Sequence, residues 1–196
     1  MKIGTFLLQS ILNPRKVGAV FPSSVYLAEK MMSAVQFQQA KYVVEYGPGT
    51  GVFTDKILTY RKPDTLVLLI EHNKEFYKQL KEKYKAEKNL IIVNDTAEQI
   101  DWYTKRYGIP AIDYVISGLP FASLPKHVSH NILDKTKKLL SSDGEFITFQ
   151  YSLCRKEFIS QFFSHIDVKL EYRNVPPAFI FNCNNQQLLI RNQERM

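Results

Sequence analysis

The sequence predicts a doubly wound α/β fold, because short apolar runs alternate with segments of helical spacing. Each run is rich in β-branched or aromatic residues and is bounded by Gly, Pro, Asn or Asp, as buried parallel strands are. The runs are Tyr42–Val44, Leu66–Ile70, Leu90–Val93, Tyr114–Ile116 and Phe146–Phe149. Strands that alternate with helices indicate a mostly parallel sheet with helices on both faces.

Two of the intervening segments have the spacing of amphipathic helices. Phe76, Leu80 and Tyr84 recur at four-residue intervals, with lysines on the other sides of the helix. A second apolar face comprises Val128, Ile132, Leu133, Leu139 and Leu140. Both faces predict helices that pack on the sheet.

The pattern changes after residue 170. Extended segments around Val168–Tyr172 and Phe179–Cys183 are joined through Pro176 and Pro177, and a third, Leu188–Ile190, follows closely. No helix fits between them, so we expect an antiparallel hairpin at the sheet edge. The complete prediction is a seven-stranded, mostly parallel sheet with one antiparallel strand near the C-terminus.

Composition and charge limit the partners and the location. The chain has 26 Lys and Arg against 19 Asp and Glu, a net charge of +7. A basic surface favours nucleic acid or an anionic membrane face, although it can also be an unselective solvated surface. Cys154 and Cys183 form no CxxC pair and lack zinc spacing, so they suit a reducing cytoplasm and suggest no metal site. No stretch approaches the length that spans a bilayer.

The strongest functional signal is a glycine-rich turn. Gly47, Gly49 and Gly51 follow an apolar strand and lead directly into a helical segment, Val52–Leu58. Glycine allows a tight turn and the close approach of a ligand. The turn is neither the GxGxxG of dinucleotide sites nor a phosphate-binding loop with its Lys-Ser/Thr ending. With Glu45 two residues before the first glycine, it suits a neutral or zwitterionic ligand such as S-adenosylmethionine. Glu45 would orient the loop or meet the ligand's ammonium group.

Two further acids follow the next two strands. Glu71 lies 20 residues beyond Gly51, where it could accept hydrogen bonds from both ribose hydroxyls. Asp95 could accept from the adenine amine, while Ala97 leaves room for the ring. Ligands bind at the carboxyl ends of such strands, so three acids at three successive strand ends support one cofactor site.

These segments resemble the motifs of class I methyltransferases in order and spacing. The resemblance is carried by Glu45–Gly51, Glu71, Asp95–Ala97 and Ser117–Pro120. It implies a Rossmann-like fold, S-adenosylmethionine as cofactor and S-adenosylhomocysteine as product. Two branches compete: the rRNA adenine dimethylases and the bacterial phospholipid N-methyltransferases, which methylate phosphatidylethanolamine to phosphatidylcholine.

The segment after the fourth strand favours the phospholipid branch. Methyltransferases that act on base amines carry Asn or Asp, then a Pro, small or apolar residue, then Pro and an aromatic residue. Here Ser117 takes the place of the carboxamide, or Gly118 offsets the motif. A hydroxyl is a shorter and weaker acceptor for a planar amine. The segments at residues 18–24 and 174–178 also resemble the phospholipid branch. We also expect no helical domain after the catalytic one.

The resemblance implies methylation of the amine of a phosphatidylethanolamine-type phospholipid. The alternatives are rRNA adenine methylation, which the positive charge also allows, and a catalytically silent cofactor-binding module. The cofactor-binding residues expected are Phe21, Ser23, Glu45, Gly47, Gly49, Thr50, Gly51, Glu71, His72, Asp95, Thr96, Ala97 and Ser117. The catalytic residues expected are Tyr46, Ser117, Leu119 and Pro120.

No His–Asp pair or carboxylate pair stands out as a dedicated base. Positioning and desolvation would therefore supply most of the rate. Aromatic faces can stabilise the positive charge that grows on nitrogen. The candidate rings are Phe21, Tyr46, Phe121 and Tyr151.

The N-terminal segment has an apolar face along Ile3–Leu12, followed by Arg15 and Lys16. Such a segment can lie in an anionic membrane interface or pack on the catalytic domain. We expect residues 1–196 to form one methyltransferase domain, with residues 1–36 as a helical segment capping the cofactor site. The expected location is cytoplasmic, with peripheral contact at the inner membrane face.

Overall fold

A seven-stranded sheet runs through the computed structural model, which describes residues 24–185. The strands are β1 Tyr42–Tyr46, β2 Leu66–Ile70, β3 Leu90–Val93, β4 Ile112–Ser117, β5 Leu140–Gln150, β6 His165–Glu171 and β7 Ala178–Asn184. Their order is β3-β2-β1-β4-β5-β7-β6. Among the strands that the structure describes, only β7 runs antiparallel to its neighbours, β5 and β6. The prediction of a mostly parallel sheet with one antiparallel C-terminal strand is confirmed, and β6 forms the edge.

Helices connect the strands and cover both faces of the sheet. They are α1 Val25–Met32, α2 Val52–Tyr60, α3 Lys74–Lys83, α4 Ile100–Arg106, α5 Lys126–Leu139 and α6 Lys156–Ile159. A 3₁₀ turn, Ala97–Gln99, precedes α4. The predicted faces of α3 and α5 are confirmed, since Phe76, Leu80, Ile132 and Leu133 are buried. Leu140, expected on the helical face, instead begins β5.

The central strands are buried on both sides. Val44 and Tyr46 of β1 belong to a cluster with α4, α5 and α6, whereas Val43 belongs to a cluster with α1 and α2. Because both faces of these strands are buried, their sequences are continuously apolar and do not alternate between apolar and polar residues.

The N-terminal end of helix α1 is hydrogen-bonded to the turn between β6 and β7. The Ser24 hydroxyl caps the helix by accepting from the Leu27 amide, and the Ser24 amide donates to Asn174 Oδ1 at 3.0 Å. Leu27 and Met31 are fully buried against the sheet side. No helix within residues 24–185 is long and apolar enough to cross a bilayer. The predictions for Ile3–Leu12 and for the strand at Leu188–Ile190 fall outside the described residues.

Candidate active site

The glycine turn joins β1 to α2 and has an open face. Gly47, Gly49 and Gly51 have φ values of +63°, +57° and +88°, a region that L side chains rarely adopt. A Cβ at Gly51 would collide with the hydroxyl of Tyr84, which donates a hydrogen bond to the Gly51 carbonyl. A Cβ at Gly49 would meet no heavy atom of the described chain within 4 Å. The turn is therefore supported from α3 on one side and leaves space at Gly49 for a ligand.

Glu71 fixes this turn from the end of β2. It is 3% exposed. Its Oε2 accepts from the Gly49 amide at 2.9 Å, and its Oε1 accepts from the Asn73 amide at 2.7 Å. Burial raises the pKa of this carboxyl, while the two backbone hydrogen bonds lower it. Because a carboxylate has about four acceptor sites, Glu71 keeps capacity for a ligand.

Asp95 is oriented by its own loop and by α4. Its Oδ1 accepts from the Thr96 amide at 2.8 Å, and its Oδ2 accepts from the Tyr103 hydroxyl at 3.0 Å. Ala97 is buried at the start of the 3₁₀ turn. The Tyr103 contact was not predicted, because an aromatic residue at helical spacing is typical of a helix face packed in the core.

Hydrogen bonds join neighbouring strands at their carboxyl ends. The Asn94 side-chain amide donates to the carbonyls of Glu71 and His72, at 2.8 and 3.1 Å, which ties the end of β3 to that of β2. The Gly118 amide donates to the Tyr46 carbonyl at 2.9 Å, which ties β4 to β1. The segments that carry the resemblance thus meet at one edge of the sheet.

Glu45 is fully buried and contacts α2. Its Oε2 accepts from the Thr54 hydroxyl at 2.6 Å, and its Oε1 has no hydrogen-bond partner among residues 24–185. Burial raises the pKa of this carboxyl to about 8. The neutral acid is therefore favoured at pH 7. Of the two roles expected from the sequence, the geometry supports orientation of the loop through α2 rather than charge pairing with an ammonium.

The loop after β4 is held from β5. Ser117 is buried, and its hydroxyl accepts from the Leu119 amide at 3.2 Å. The Leu119 carbonyl accepts from the side-chain amide of Gln150 at 3.2 Å. Gln150, the last residue of β5, is 3% exposed and was not predicted as a site residue. Its strand was recognised, but a glutamine at a strand end carries no distinctive signal.

Gly118 has no room for a side chain. A Cβ at this position would lie 2.8 Å from the Gly47 carbonyl oxygen, closer than such atoms approach. Any side chain at residue 118 therefore requires the two loops to separate. This crowding holds the loop after β4, Ser117–Phe121, which we call the acceptor loop, against the glycine turn.

Two predicted site rings face the core instead. Tyr46 and Phe121 are fully buried. The Tyr46 hydroxyl shares a hydrogen bond with Thr136 on α5, and the Phe121 ring packs edge-on against Phe146. Alternation along β1 directs the Tyr46 ring inward. That either ring stabilises a substrate cation, and that Tyr46 is catalytic, stay predictions.

The remaining predicted residues lie at or near the edge, with two exceptions. Tyr151 follows β5 and is partly exposed, while Thr50 and His72 are exposed beside the glycine turn and Glu71. The Pro120 carbonyl accepts from the Ser123 amide at 2.8 Å. Phe21 and Ser23 lie outside the described residues.

A shallow concavity of about 520 Å³ lies away from these residues. It is lined by Gln36, Phe37 and Tyr60, among others, just before β1 and at the end of α2. This is the amino end of the sheet, opposite the glycine turn. None of the predicted site residues within residues 24–185 lines the concavity.

Comparisons with known proteins show the family of this chain. The chain matches the family described as ribosomal RNA adenine dimethylase over residues 13–163. It is 30% identical to an ornithine lipid N-methyltransferase of Singulisphaera acidiphila, over 85% of this chain and 88% of that protein. It is 31% identical to ribosomal RNA small subunit methyltransferase A of Coxiella burnetii, over 55% of this chain and 40% of that protein.

A solved structure shares the fold at low identity. Precorrin-6y C5,15-methyltransferase from Geobacter metallireducens superposes with a TM-score of 0.66 at 17% identity, covering 82% of this chain and 87% of that one. Fold, site and relatives together define a class I methyltransferase that uses S-adenosylmethionine. Within that class, the chain belongs to the rRNA adenine dimethylase family.

Proposed function

We propose that this methyltransferase acts on the primary amine of a phosphatidylethanolamine-type phospholipid. The observation that carries the proposal is the crowding at Gly118. A methyltransferase that grips a base amine uses a carboxamide or carboxylate in this loop, and a Cβ at Gly118 would lie 2.8 Å from the Gly47 carbonyl oxygen. The loop therefore cannot hold such a group at residue 118 in its present conformation.

The other acceptors of the loop are already engaged. The Ser117 hydroxyl accepts from the Leu119 amide, and the Leu119 carbonyl accepts from Gln150. A planar base amine needs two converging acceptors, and these contacts compete for both. A tetrahedral aliphatic amine does not need two converging acceptors. The relative that this chain matches over most of its length is named for a lipid amine, which supports the same choice.

The glycine turn and the acids are proposed to hold the cofactor. The space at Gly49 fits a ligand, Glu71 is placed for the ribose, and Asp95 with Ala97 for the adenine ring. Bound S-adenosylmethionine supplies a methyl group that is electrophilic at carbon. The Tyr103 hydroxyl and the Asn94 amide keep the two acids and their loops in place.

The acceptor loop is proposed to act by positioning. The segment Ser117–Phe121 contains no ionisable side chain, so it provides no general base. Ser117, Leu119 and Pro120 set the backbone path past which the amine must approach. Tyr151, partly exposed at the end of β5, is the ring best placed to face a cationic nitrogen. Exclusion of water would favour the uncharged amine that the reaction requires.

A second candidate is adenine methylation in RNA. The family match over residues 13–163 and the net charge of +7 both favour it. In this case the loop after β4 would have to open, since its acceptors are engaged in the present conformation. The two candidates therefore differ in both substrate and loop geometry.

Transfer of a labelled methyl group distinguishes the candidates. The purified chain is incubated with labelled cofactor and with vesicles containing phosphatidylethanolamine, vesicles containing ornithine lipid, or rRNA. We expect label in phosphatidylethanolamine. The control is Glu71→Ala, which removes the carboxylate that accepts from the Gly49 and Asn73 amides and is the proposed ribose acceptor; we expect at least a hundredfold loss of transfer, about 3 kcal/mol.

Each outcome has a definite reading. Label in ornithine lipid alone would replace the phospholipid by another aminolipid. Label in rRNA alone would overturn the proposal in favour of the base amine. Equal transfer by Glu71→Ala and by Glu82→Ala, an exposed surface control, would remove Glu71 from the proposed cofactor site.

A further inference from the structure

Four exposed apolar side chains surround the hydrogen bond between Ser24 and Asn174. Among residues 24–185, seven large hydrophobic side chains are exposed. Four of the seven lie within two residues of this one hydrogen bond. They are Val25 at 59%, Tyr26 at 50%, Tyr172 at 74% and Val175 at 73% exposure. Isolated exposed hydrophobics are ordinary, but a cluster of this kind indicates an interaction surface.

Arg173 places a positive charge within the cluster. Residues 24–26 and 172–175 contain this one charged residue and no acid. Its guanidinium stacks over the Tyr26 ring at 4.3 Å and bonds to the buried Glu171 carboxylate at 3.0 Å. Lys30 lies 3.7 Å from the same carboxylate. Two cations thus surround one acid, and the local charge is positive. We call Val25, Tyr26, Tyr172, Arg173 and Val175 the α1–hairpin patch.

The patch lies at the same end of the sheet as the acceptor loop. Strand β6 ends at Glu171, and because β6 runs parallel to β5 its carboxyl end faces the same edge. The Asn174 side chain lowers the pKa of Tyr151, which directly follows Gln150, and therefore lies near the Tyr151 hydroxyl. Gln150 in turn bonds to Leu119. The turn that carries the patch therefore reaches the loop proposed to receive the amine through Tyr151, its chain neighbour Gln150 and the hydrogen bond from Gln150 to Leu119.

We infer that the α1–hairpin patch docks on an anionic lipid bilayer, with the acceptor loop facing the headgroups. The inference rests on the proposed aminolipid substrate. Tyrosine suits this position, since its ring enters the apolar boundary while its hydroxyl stays among the headgroups. Arg173 adds attraction to anionic lipid. A nucleic-acid surface would need several unpaired cations for phosphates, and the patch offers one arginine among four apolar side chains.

Vesicle flotation with the full-length chain tests the inference. The vesicles are phosphatidylcholine with or without phosphatidylglycerol, and contain no aminolipid. We expect flotation on the anionic vesicles, weakened but not abolished at high salt. Tyr172→Asp should reduce the partition coefficient about tenfold, because it removes apolar contact and adds a repelled charge. Trp102→Asp is the matched control, since Trp102 is an exposed aromatic residue on α4, outside the patch.

Activity separates failure of the inference from failure of the proposed function. Tyr172→Asp should match the wild type on phosphatidylethanolamine in detergent micelles and fall behind it on vesicles. Absence of lipid methylation in both settings would refute the proposed function, while flotation would still decide the docking surface. Unchanged flotation of Tyr172→Asp, or an equal loss in Trp102→Asp, would overturn the inference. So would a dimer that Tyr172→Asp abolishes without any vesicle binding, since the patch would then bind a second copy of the chain.

Discussion

The two halves of the sheet edge are built in different ways. The half formed after β1, β2 and β3 uses glycines at positive φ and acids that accept from backbone amides, Asp95 from Thr96 in its own loop and Glu71 from Gly49 across 22 positions. The half formed after β4, β5 and β6 adds side-chain contacts to partners more distant in sequence. Gln150 reaches Leu119 across 31 positions, and Ser24 meets Asn174 across 150. We call the half after β1, β2 and β3 the cofactor half and the half after β4, β5 and β6 the acceptor half. The geometry of the cofactor half depends on residue types at strand ends. The geometry of the acceptor half depends on which strands are neighbours in the sheet.

The largest expected effect concerns the buried acid of the cofactor half. The pKa of Glu45 is raised from 4.5 to about 8. Protonation therefore favours the folded state, and this stabilisation is complete below pH 4.5 and is lost as pH rises through 8. Glu45→Gln keeps an acceptor for Thr54 and does not titrate. Between pH 5 and pH 9, the wild type should lose a few kcal/mol of unfolding free energy relative to the variant.

Urea unfolding at pH 5, 7 and 9 measures this difference directly. Subtracting the variant curve from the wild-type curve removes the contributions of other titrating groups. Parallel curves over this range would mean that Glu45 is ionised in the fold. That result would favour the other role expected for Glu45, in which its carboxylate pairs with the ammonium group of the ligand.

A matched pair of glycines tests the open space in the cofactor half. Gly49 and Gly108 have φ values of +57° and +63°, and at both a Cβ would meet no heavy atom of the described chain within 4 Å. Gly49→Ala and Gly108→Ala should therefore lose similar stability, about 1–2 kcal/mol from the left-handed backbone. Only Gly49→Ala should weaken binding of S-adenosylhomocysteine, by about tenfold or 1.4 kcal/mol.

Calorimetry with the product cofactor, paired with melting curves, separates the two effects. Equal affinities in the two variants would show that the space at Gly49 is not where the cofactor lies. A loss of affinity in both would point to a general response to backbone strain.

The smallest effect is expected in the acceptor half. Gln150→Leu removes the donor to the Leu119 carbonyl and should raise the KM for the aminolipid about threefold, the value of one neutral hydrogen bond. Cofactor affinity should not change. The exposed Gln38→Leu serves as control. A fall in cofactor affinity instead, with the KM unchanged, would contradict the division of the edge into two halves.

Most of the fold was predictable from the sequence because double burial leaves continuous apolar runs and the helices carry one apolar face. All five apolar runs became strands, and the hairpin after residue 170 was recognised from its two extended segments. The position of β7 between β5 and β6 was not predicted, since strand order is a long-range property. The predicted helix boundary was wrong at Leu140, because an apolar residue at the end of a helical face is equally compatible with the start of a strand.

The candidate site was also predicted only in part. Gly49, Glu71 and Asp95 were predicted from position alone and do meet at one edge. Tyr103 and Gln150 were missed, because their roles depend on which loop they reach. Tyr46 and Phe121 were predicted to face a ligand and face the core, since nearness to a motif in sequence does not fix the direction of a ring.

The order of the last strands has a consequence for synthesis on the ribosome. Among the strands of residues 24–185, β7 is the last to be made, yet it fills the place between β5 and β6. Until residues 178–184 leave the exit tunnel, β5 has an unpaired edge, and β6 has no partner among the strands already made. Such an edge is a template for pairing with another chain. The nascent protein therefore stays vulnerable to aggregation until residues 178–184 have left the tunnel, and a chain halted at residue 163 would keep the exposed edge of β5.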